Sequence, residues 1–510
     1  MLAQLKTYTL VGIHALPVEV EVDVSGGEES GTVIVGLPEG AVRESTHRVA
    51  RALANSGFHY PIDRVVINLA PAEVPKQAAS FDLPISLGMM AASGQLEINR
   101  MKRYAVVGEL SLCGEARSVR GVLSMALAAA QQEGVEGLVV PASNGVEAAV
   151  VEGLEIIPVG SLAEAAAFFG ETLQVDPLEC SIGQLYCRDK EQGIDFADVR
   201  GQEMAKRAFT IAAAGAHNLL MLGPPGSGKT MLAKRVPSVM PPLSPVESLE
   251  TTRIYSAVGK LGEGRSLITE RPFRAPHHTI SDVGLVGGGR MPMPGEISLA
   301  HNGVLFMDEL PEFSRRTLEV MRQPLEDGMV TISRALQTTD FPADFMLIAA
   351  LNPCPCGYRT DSRRVCRCTP PQVERYMAKV SGPLLDRIDI HIEVPAVKYE
   401  ELASDSEGTT SREMREIVER ARRAQGERFD GLATRFNAQM TSRQTREFCR
   451  LDKEGCQQVR RSLEQLGFSA RAYDKILRLA RTIADVEEQP EVLPAHVSEA
   501  INYRTLDRQM

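Results

Sequence analysis

The sequence predicts a multi-domain α/β protein, and three observations carry that prediction. Residues 1–170 alternate short β-like runs with small-residue helical segments. Residues 195–398 alternate strands and helices around a glycine-rich loop at 223–230. From about 399 onward the pattern is helical. Between the first two stretches, residues 171–194 lack a period and carry scattered acids, which makes them a linker.

The individual elements follow from local pattern. Val18–Val24 alternates with period two, as a half-buried strand does. Arg64–Leu69 is a buried-strand run, Leu123–Gln132 is Ala-rich and helical, and Gly137–Pro141 follows as a strand. These make the first part an α+β or α/β domain. In the second part Asn218–Leu222 is an apolar run leading into the glycine-rich loop. A helix opens at Met231 and is expected to stop before Pro237, because proline lacks the N–H and crowds the preceding turn. In the last part Ser411–Phe429, Ser442–Cys449, Lys453–Leu466, Ala470–Val486 and Ala495–Tyr503 read as helices.

Bulk properties narrow the class. Hydrophobic content of 44% and charged content of 24% are ordinary for a globular protein. No apolar run reaches the roughly 18 residues that would span a membrane. The first residues lack the charged-then-apolar pattern of a secretory signal, so a cytoplasmic location is expected. The formal net charge is −10, which at first sight disfavours a nucleic-acid partner. Its distribution softens that: residues 1–170 hold 11 basic and 19 acidic groups, so the remainder is nearly balanced. Of nine cysteines, four fall together at 354, 356, 366 and 368. An odd total fits a disulfide framework poorly, and clustered cysteines outside an oxidising compartment point to metal.

The glycine-rich loop is Gly223-Pro224-Pro225-Gly226-Ser227-Gly228-Lys229-Thr230. Strand, loop and helix succeed one another, the context a phosphate-binding loop requires. Gly226 and Gly228 let backbone N–H groups turn in around phosphates at the positive end of a helix. Lys229 is expected to reach the β- and γ-phosphates of ATP, and Thr230 to coordinate Mg²⁺. A second strand, Gly303–Met307, delivers Asp308 and Glu309 at its C-terminal end, where α/β sheets place ligands. Asp308 suits the Mg²⁺ shell, and Glu309 suits a base for the attacking water. A third strand, Phe345–Leu351, ends at Asn352, an amide placed to sense the γ-phosphate. Arg387, in Ser381–Asp389, is either a finger on a neighbouring subunit's ATP or one half of a surface Arg–Asp pair. Arg471 lies on a helix of the last part and is a further γ-phosphate contact.

Cys354-x-Cys356-x₉-Cys366-x-Cys368 supplies four thiolates, enough for a closed tetrahedral zinc site with a structural role. The alternative is four free cysteines in a buried loop. Around them Arg359, Arg363, Arg364, Arg367, Arg375 and Lys379 outnumber Asp361 and Glu374. Such a loop suits phosphate-backbone contact, or is simply a solvated face.

Taken together, Gly223–Thr230, Leu305–Glu309, Asn352, Arg387 and Arg471 resemble Walker A, Walker B, sensor 1, arginine finger and sensor 2 of AAA+ ATPases. The finer resemblance is to the bacterial YifB/ComM family of Mg-chelatase-like AAA+ proteins. It rests on Asp195–Gln202, Arg271–Ser281, Pro294–Gly303, Asn352–Gly357 and Gly382–Asp389, and it covers essentially the whole chain. It implies an AAA+ core with a helix-2 insert at about 271–298, a hairpin before sensor 1 at about 329–343, and a C-terminal helical lid at 399–510. It places Val199 and Gln202 beside the adenine. It implies a homo-hexamer whose insert and hairpin face a central pore. The family is tied to ATP-driven helicase and branch-migration activity on DNA during integration of transforming DNA, with recombination proteins as further partners. The homologous Mg-chelatase subunit instead suggests a chaperone motor that remodels a protein partner.

The first 170 residues resemble the Lon-protease-type domain. Ser80, in Pro75–Pro84, falls at the nucleophile position, but Leu123 stands where the lysine base belongs. A serine without a base is a weak nucleophile, so a non-proteolytic domain is expected. In the implied insert, Arg271, Arg274 and Arg290 accompany His277, His278 and Gly287–Gly289 as DNA-contact candidates; the histidines can equally pack the insert. Arg334, beside Ser333 near the hairpin turn, is the leading pore contact, with Arg363 and Arg364 as further candidates. No base-reading motif is present, so contacts would be to phosphates, salt-sensitive and weakly sequence-specific.

Overall fold

The structure, a computed structural model, describes the chain apart from residues 26–30, 38–39, 75, 77–78, 98–99, 181–192, 263, 290–291, 335–336, 362–363, 398–407, 467–469 and 505–510. Half of the expected linker, residues 181–192, therefore lies outside the described residues, as do Arg290 and Arg363. The chain divides into two compact units. One comprises Met1–Asp189 with Ser244–Thr269, the other Lys190–Leu243 with Glu270–Met510.

The first unit is built on a seven-stranded mixed sheet. Leu2–Val11 and His14–Ser25 form its central antiparallel hairpin, with Leu2 opposite Asp23 and Val11 opposite His14. Arg64–Ala70 pairs antiparallel with His14–Ser25 and carries Gly31–Val35 parallel at the edge. On the other side Tyr104–Val106, Gly137–Pro141 and Glu155–Val159 continue in parallel. The period-two run at 18–24 explains the side-chain placement: Val18, Val20 and Val22 are buried and contribute to the core. Helix Asp82–Ala92 is buried along its entire length. Gly88 makes its close approach to the sheet possible, because a Cβ there would lie 2.7 Å from Val22 Cγ2.

Ser80 is buried in this unit, and its Oγ has no hydrogen-bond partner among the described residues. Leu123 lies in an apolar cluster with Tyr8, Met125 and Leu138. Lys76 is also buried, and its ammonium donates to the Pro71 carbonyl. Burial pushes its pKa down.

Residues 244–269, which sequence order groups with the ATPase core, cluster instead with the first unit. Ser244 and Glu247 form a capping box that starts helix Pro245–Ala257. This helix packs on Val122–Gln131. Gly121 N–H donates to the Ser256 carbonyl (3.1 Å), Ser256 Oγ donates to the Glu147 carboxylate, and Arg253 donates to the Ile13 carbonyl (3.3 Å).

The second unit centres on a five-stranded parallel sheet. Its order is Phe273–Arg274, Val304–Met307, Met346–Leu351, Leu219–Leu222, Ile390–Glu393. The three middle strands are buried at every position, as expected of parallel strands covered on both faces. Helix Lys229–Val239 follows the glycine-rich loop and runs through Pro237, past the expected stop. Pro237 sits in the last turn, where losing one N–H donor costs least, and Met240 N–H still closes on the Val236 carbonyl at 3.3 Å. Met329–Arg334 and Gln337–Pro342 form an antiparallel hairpin, Arg334 opposite Gln337. The C-terminal helices are Ser411–Arg428, Ser442–Phe448, Lys453–Leu466, Ala470–Val486 and Pro494–Asn502.

A buried charge network joins the sheet to these helices. Asp389 accepts from Lys475 Nζ (2.9 Å), from the Asn218 N–H (3.3 Å) and faces His217 Nδ1 (3.3 Å). Burial alone would raise the Asp389 pKa, but the Lys475 charge and His217 hold it well below the usual carboxylate range. Removing the cation leaves a buried, uncompensated carboxylate. Lys475→Met is therefore expected to cost about 3–5 kcal/mol of unfolding free energy. Chemical denaturation of the full chain reads that loss; a change within 1 kcal/mol, roughly the scale of an exposed pair, would contradict it.

Candidate functional site

The site assembles at the C-terminal ends of three adjacent strands. Leu219–Leu222 leads into Gly223, which packs so closely on the Val394 carbonyl that no side chain fits. Gly226 (φ +78°) and Gly228 (φ +92°) take the left-handed backbone that curls the loop. Lys229 Nζ is folded over the loop and donates to the carbonyls of Gly223 (2.6 Å) and Pro224 (3.0 Å) and to Asn352 Oδ1 (3.2 Å). Burial lowers its pKa, opposed by the charges of Asp308 and Glu309. Ser227 Oγ is buried in the loop with no partner among the described residues. An ammonium beside loop carbonyls and a hydroxyl without a partner among the described residues fit a site for phosphate oxygens.

Thr230 Oγ1 donates to Asp308 Oδ2 at 2.7 Å, which brings together the hydroxyl and carboxylate suited to a hydrated Mg²⁺. Asp308 Oδ1 accepts from the Glu309 N–H at 2.9 Å. Glu309 holds φ +53°, a conformation that costs a side-chain-bearing residue about 1–3 kcal/mol. This turn aims its carboxylate away from the strand; the side chain is 51% exposed and lies 3.5 Å from His278 Nδ1. That histidine stacks with His277 at a centroid separation of 4.1 Å. The sequence offered the histidine pair as DNA-contact candidates or packing groups, and the contact with Glu309 spans some thirty residues, beyond any local signal.

The remaining candidates are placed variously. Val199 is buried, and Gln202 Nε2 donates to the Pro395 carbonyl at 2.8 Å. Arg387 lies after the short helix Gly382–Leu385, its side chain only 15% exposed. Its guanidinium meets the Glu326 carboxylate and the Pro383 carbonyl. Arg471 is exposed on the first turn of Ala470–Val486.

Two DNA-contact candidates are engaged by groups of the chain itself. Arg271 is only 8% exposed, and its guanidinium donates to the carbonyls of Pro241 (2.6 Å), Asn302 (2.7 Å) and Pro242 (3.4 Å). It pins backbone at three carbonyls. Arg274 is held in a two-pronged pair with Glu296 at 2.6 and 2.7 Å, which neutralises its charge. By contrast Arg334 is exposed near the hairpin turn. The hairpin lies against the insert glycines: a Cβ on Gly288 would sit 3.3 Å from Arg334 Nη2, and one on Gly287 3.0 Å from Ile332 Cδ1. Arg364 is exposed and donates to the Tyr358 hydroxyl at 2.7 Å.

The four clustered cysteines converge. Cys354 Sγ lies 3.3 Å from Cys356 Sγ and 3.6 Å from Cys366 Sγ, and all four sulfurs fall within 4.8 Å of one another. A tetrahedral ion with metal–sulfur bonds of about 2.3 Å sets its ligands about 3.8 Å apart, so the cluster fits zinc. N–H groups of Tyr358 and Arg367 bring the Cys356 thiol down to about 6, favouring thiolate. Burial pushes Cys354 up to about 12.

Strand, phosphate loop and helix, with acidic and amide residues ending the neighbouring strands, define a P-loop ATPase. Comparison with known proteins places it more closely. The family model for magnesium chelatase, subunit ChlI, matches residues 195–402. Models for subunit ChlI of Mg-chelatase and for its C-terminal part match 20–144 and 408–504. Competence protein ComM of Haemophilus influenzae is 42% identical over 98% of this chain and 96% of its own length. YifB of Escherichia coli is 41% identical over 98% and 97%. The magnesium-chelatase 67 kDa subunit of Chlorobaculum tepidum is 26% identical over 31% of this chain and 23% of its own. The chain belongs to the YifB/ComM family of Mg-chelatase-like AAA+ ATPases. Among the described residues no helix is long and apolar enough to cross a membrane.

Proposed function

We propose that this chain is an ATP-hydrolysing hexameric motor on DNA, a helicase or branch-migration enzyme that promotes integration of transforming DNA by homologous recombination. The observation that carries the reading is the exposed Arg334 hairpin seated against the insert glycines, in the unit that holds the nucleotide site. An exposed guanidinium there attracts backbone phosphates without reading bases. The likeness to a competence protein supports the same reading.

In this account Lys229, Ser227 and the loop N–H groups hold the ATP phosphates. Thr230 and Asp308 hold Mg²⁺, which supplies charge neutralisation on the phosphates. Glu309 takes the proton of the attacking water, and Asn352 helps place that water. Arg387 leaves Glu326 to serve the ATP of the adjoining subunit, and Arg471 closes from the lid. Cys354, Cys356, Cys366 and Cys368 hold a structural zinc ion. The N-terminal unit is non-proteolytic, supported by the buried, unpartnered Ser80 hydroxyl.

The DNA contact is tested by affinity for single-stranded and forked DNA across a salt series. Arg334→Ala is expected to weaken binding to all sequences alike and to reduce the salt slope by roughly one ion per contacting subunit. Unchanged affinity and slope would remove Arg334 from the contact.

A further inference from the structure

We infer that the cysteine cluster is a metal-loaded brace for the phosphate loop, so that zinc occupancy sets the affinity for nucleotide. The inference rests on the zinc reading above and goes beyond it, since a structural ion need not influence ATP.

Two observations within the second unit carry it. Gly357, one residue after Cys356, is buried at φ +82°, with its backbone against the ring of Pro225. A Cβ at 357 would stand 2.5 Å from Pro225 Cδ and 2.6 Å from Cγ. Only glycine permits this approach, so the cysteine loop and the phosphate loop touch directly. Pro225 is otherwise exposed, and the loop it belongs to carries the phosphate-facing N–H groups.

The second tie runs through Asn352. Its Oδ1 accepts from Lys229 Nζ at 3.2 Å, and only Pro353 separates it from the buried Cys354. The cluster therefore grips the phosphate loop from the Pro225 side and its lysine from the Asn352 side.

What fixes the brace is the metal. The Gly357 N–H donates to the Cys354 carbonyl at 2.9 Å, a single turn bond. Among the described residues, the stretch from Cys356 to Cys366 contains no helix or strand. Without an ion, the four thiols exert no cross-link and that stretch loses its anchor. With one, thiols that are still protonated release their protons to solvent and the four sulfurs become a rigid corner.

The test uses the full chain, metal analysis and titration with a fluorescent ADP analogue in Mg²⁺, a readout that needs no turnover. Zinc-loaded protein is expected to bind the analogue at least ten-fold more tightly than chelator-stripped protein. Added Zn²⁺, and not further Mg²⁺, should restore the affinity. Gly357→Ala should keep its zinc and still lose at least ten-fold, because the new Cβ pushes on Pro225. Equal affinity, within two-fold, for loaded and stripped protein of unchanged circular dichroism overturns the brace and leaves the zinc reading intact. A purified chain with less than half an equivalent of zinc overturns both. Should stripping unfold the chain, Gly357→Ala decides: full zinc with wild-type ADP affinity overturns the brace.

Discussion

Glu309→Gln is expected to bind ATP as the parent does and to hydrolyse it roughly 10²–10⁴-fold more slowly, the usual contribution of a positioned general base. The reason lies in the strand end. Val304–Met307 is buried throughout, and Glu309 turns out of it with φ +53°. That turn separates two neighbouring carboxylates into different roles. Asp308 is bonded to Thr230, while the Glu309 side chain stands half exposed beside His278. Glutamine keeps the shape and cannot take a proton. Steady-state turnover together with nucleotide titration separates the two effects. Hydrolysis within three-fold of the parent would assign the base elsewhere.

Arg387→Ala is expected to reduce hydrolysis about 10³-fold or more while leaving ATP binding by the single chain unchanged, the signature of a finger supplied in trans. Within one chain Arg387 is paired with Glu326 and nearly covered. Its backbone is held independently: Asn218 Nδ2 donates to the Arg387 carbonyl at 3.1 Å, and Arg504 donates to the Ile388 carbonyl. The truncation therefore removes the guanidinium without releasing the loop. Mixing Arg387→Ala with Glu309→Gln chains should recover part of the activity, because an intact base in one subunit can meet an intact finger from the next. Absence of recovery in mixed assemblies, or normal turnover by Arg387→Ala alone, would refute the trans assignment.

The strand-end positions of Gly223–Thr230, Asp308, Glu309 and Asn352 were legible because each follows a short apolar run. Leu219–Leu222, Val304–Met307 and Met346–Leu351 are too short and too apolar to be anything but buried strands, and a parallel sheet presents its C-terminal ends together. The convergence of the four cysteines was legible for the same local reason. What sequence pattern misread was the destination of side chains and segments over long separations. Arg271 looked like a charge offered to a ligand, yet its three carbonyl acceptors come from positions about thirty residues away. Pro245–Ala257 announces itself as a helix through its capping box, but periodicity does not say that it belongs with Val122–Gln131. The His278–Glu309 approach, the Arg387–Glu326 pair and the Gly357–Pro225 contact are likewise tertiary and have no local signature.

ATP hydrolysis at Gly223–Thr230 and Glu309 is expected to drive movement on DNA. The most direct measurement is the ATPase rate of the full chain at low salt, with and without single-stranded and forked DNA. DNA is expected to stimulate the rate, an effect that fades as salt rises and is lost in Arg334→Ala. A rate indifferent to both DNAs, with no DNA binding at low salt, would contradict it.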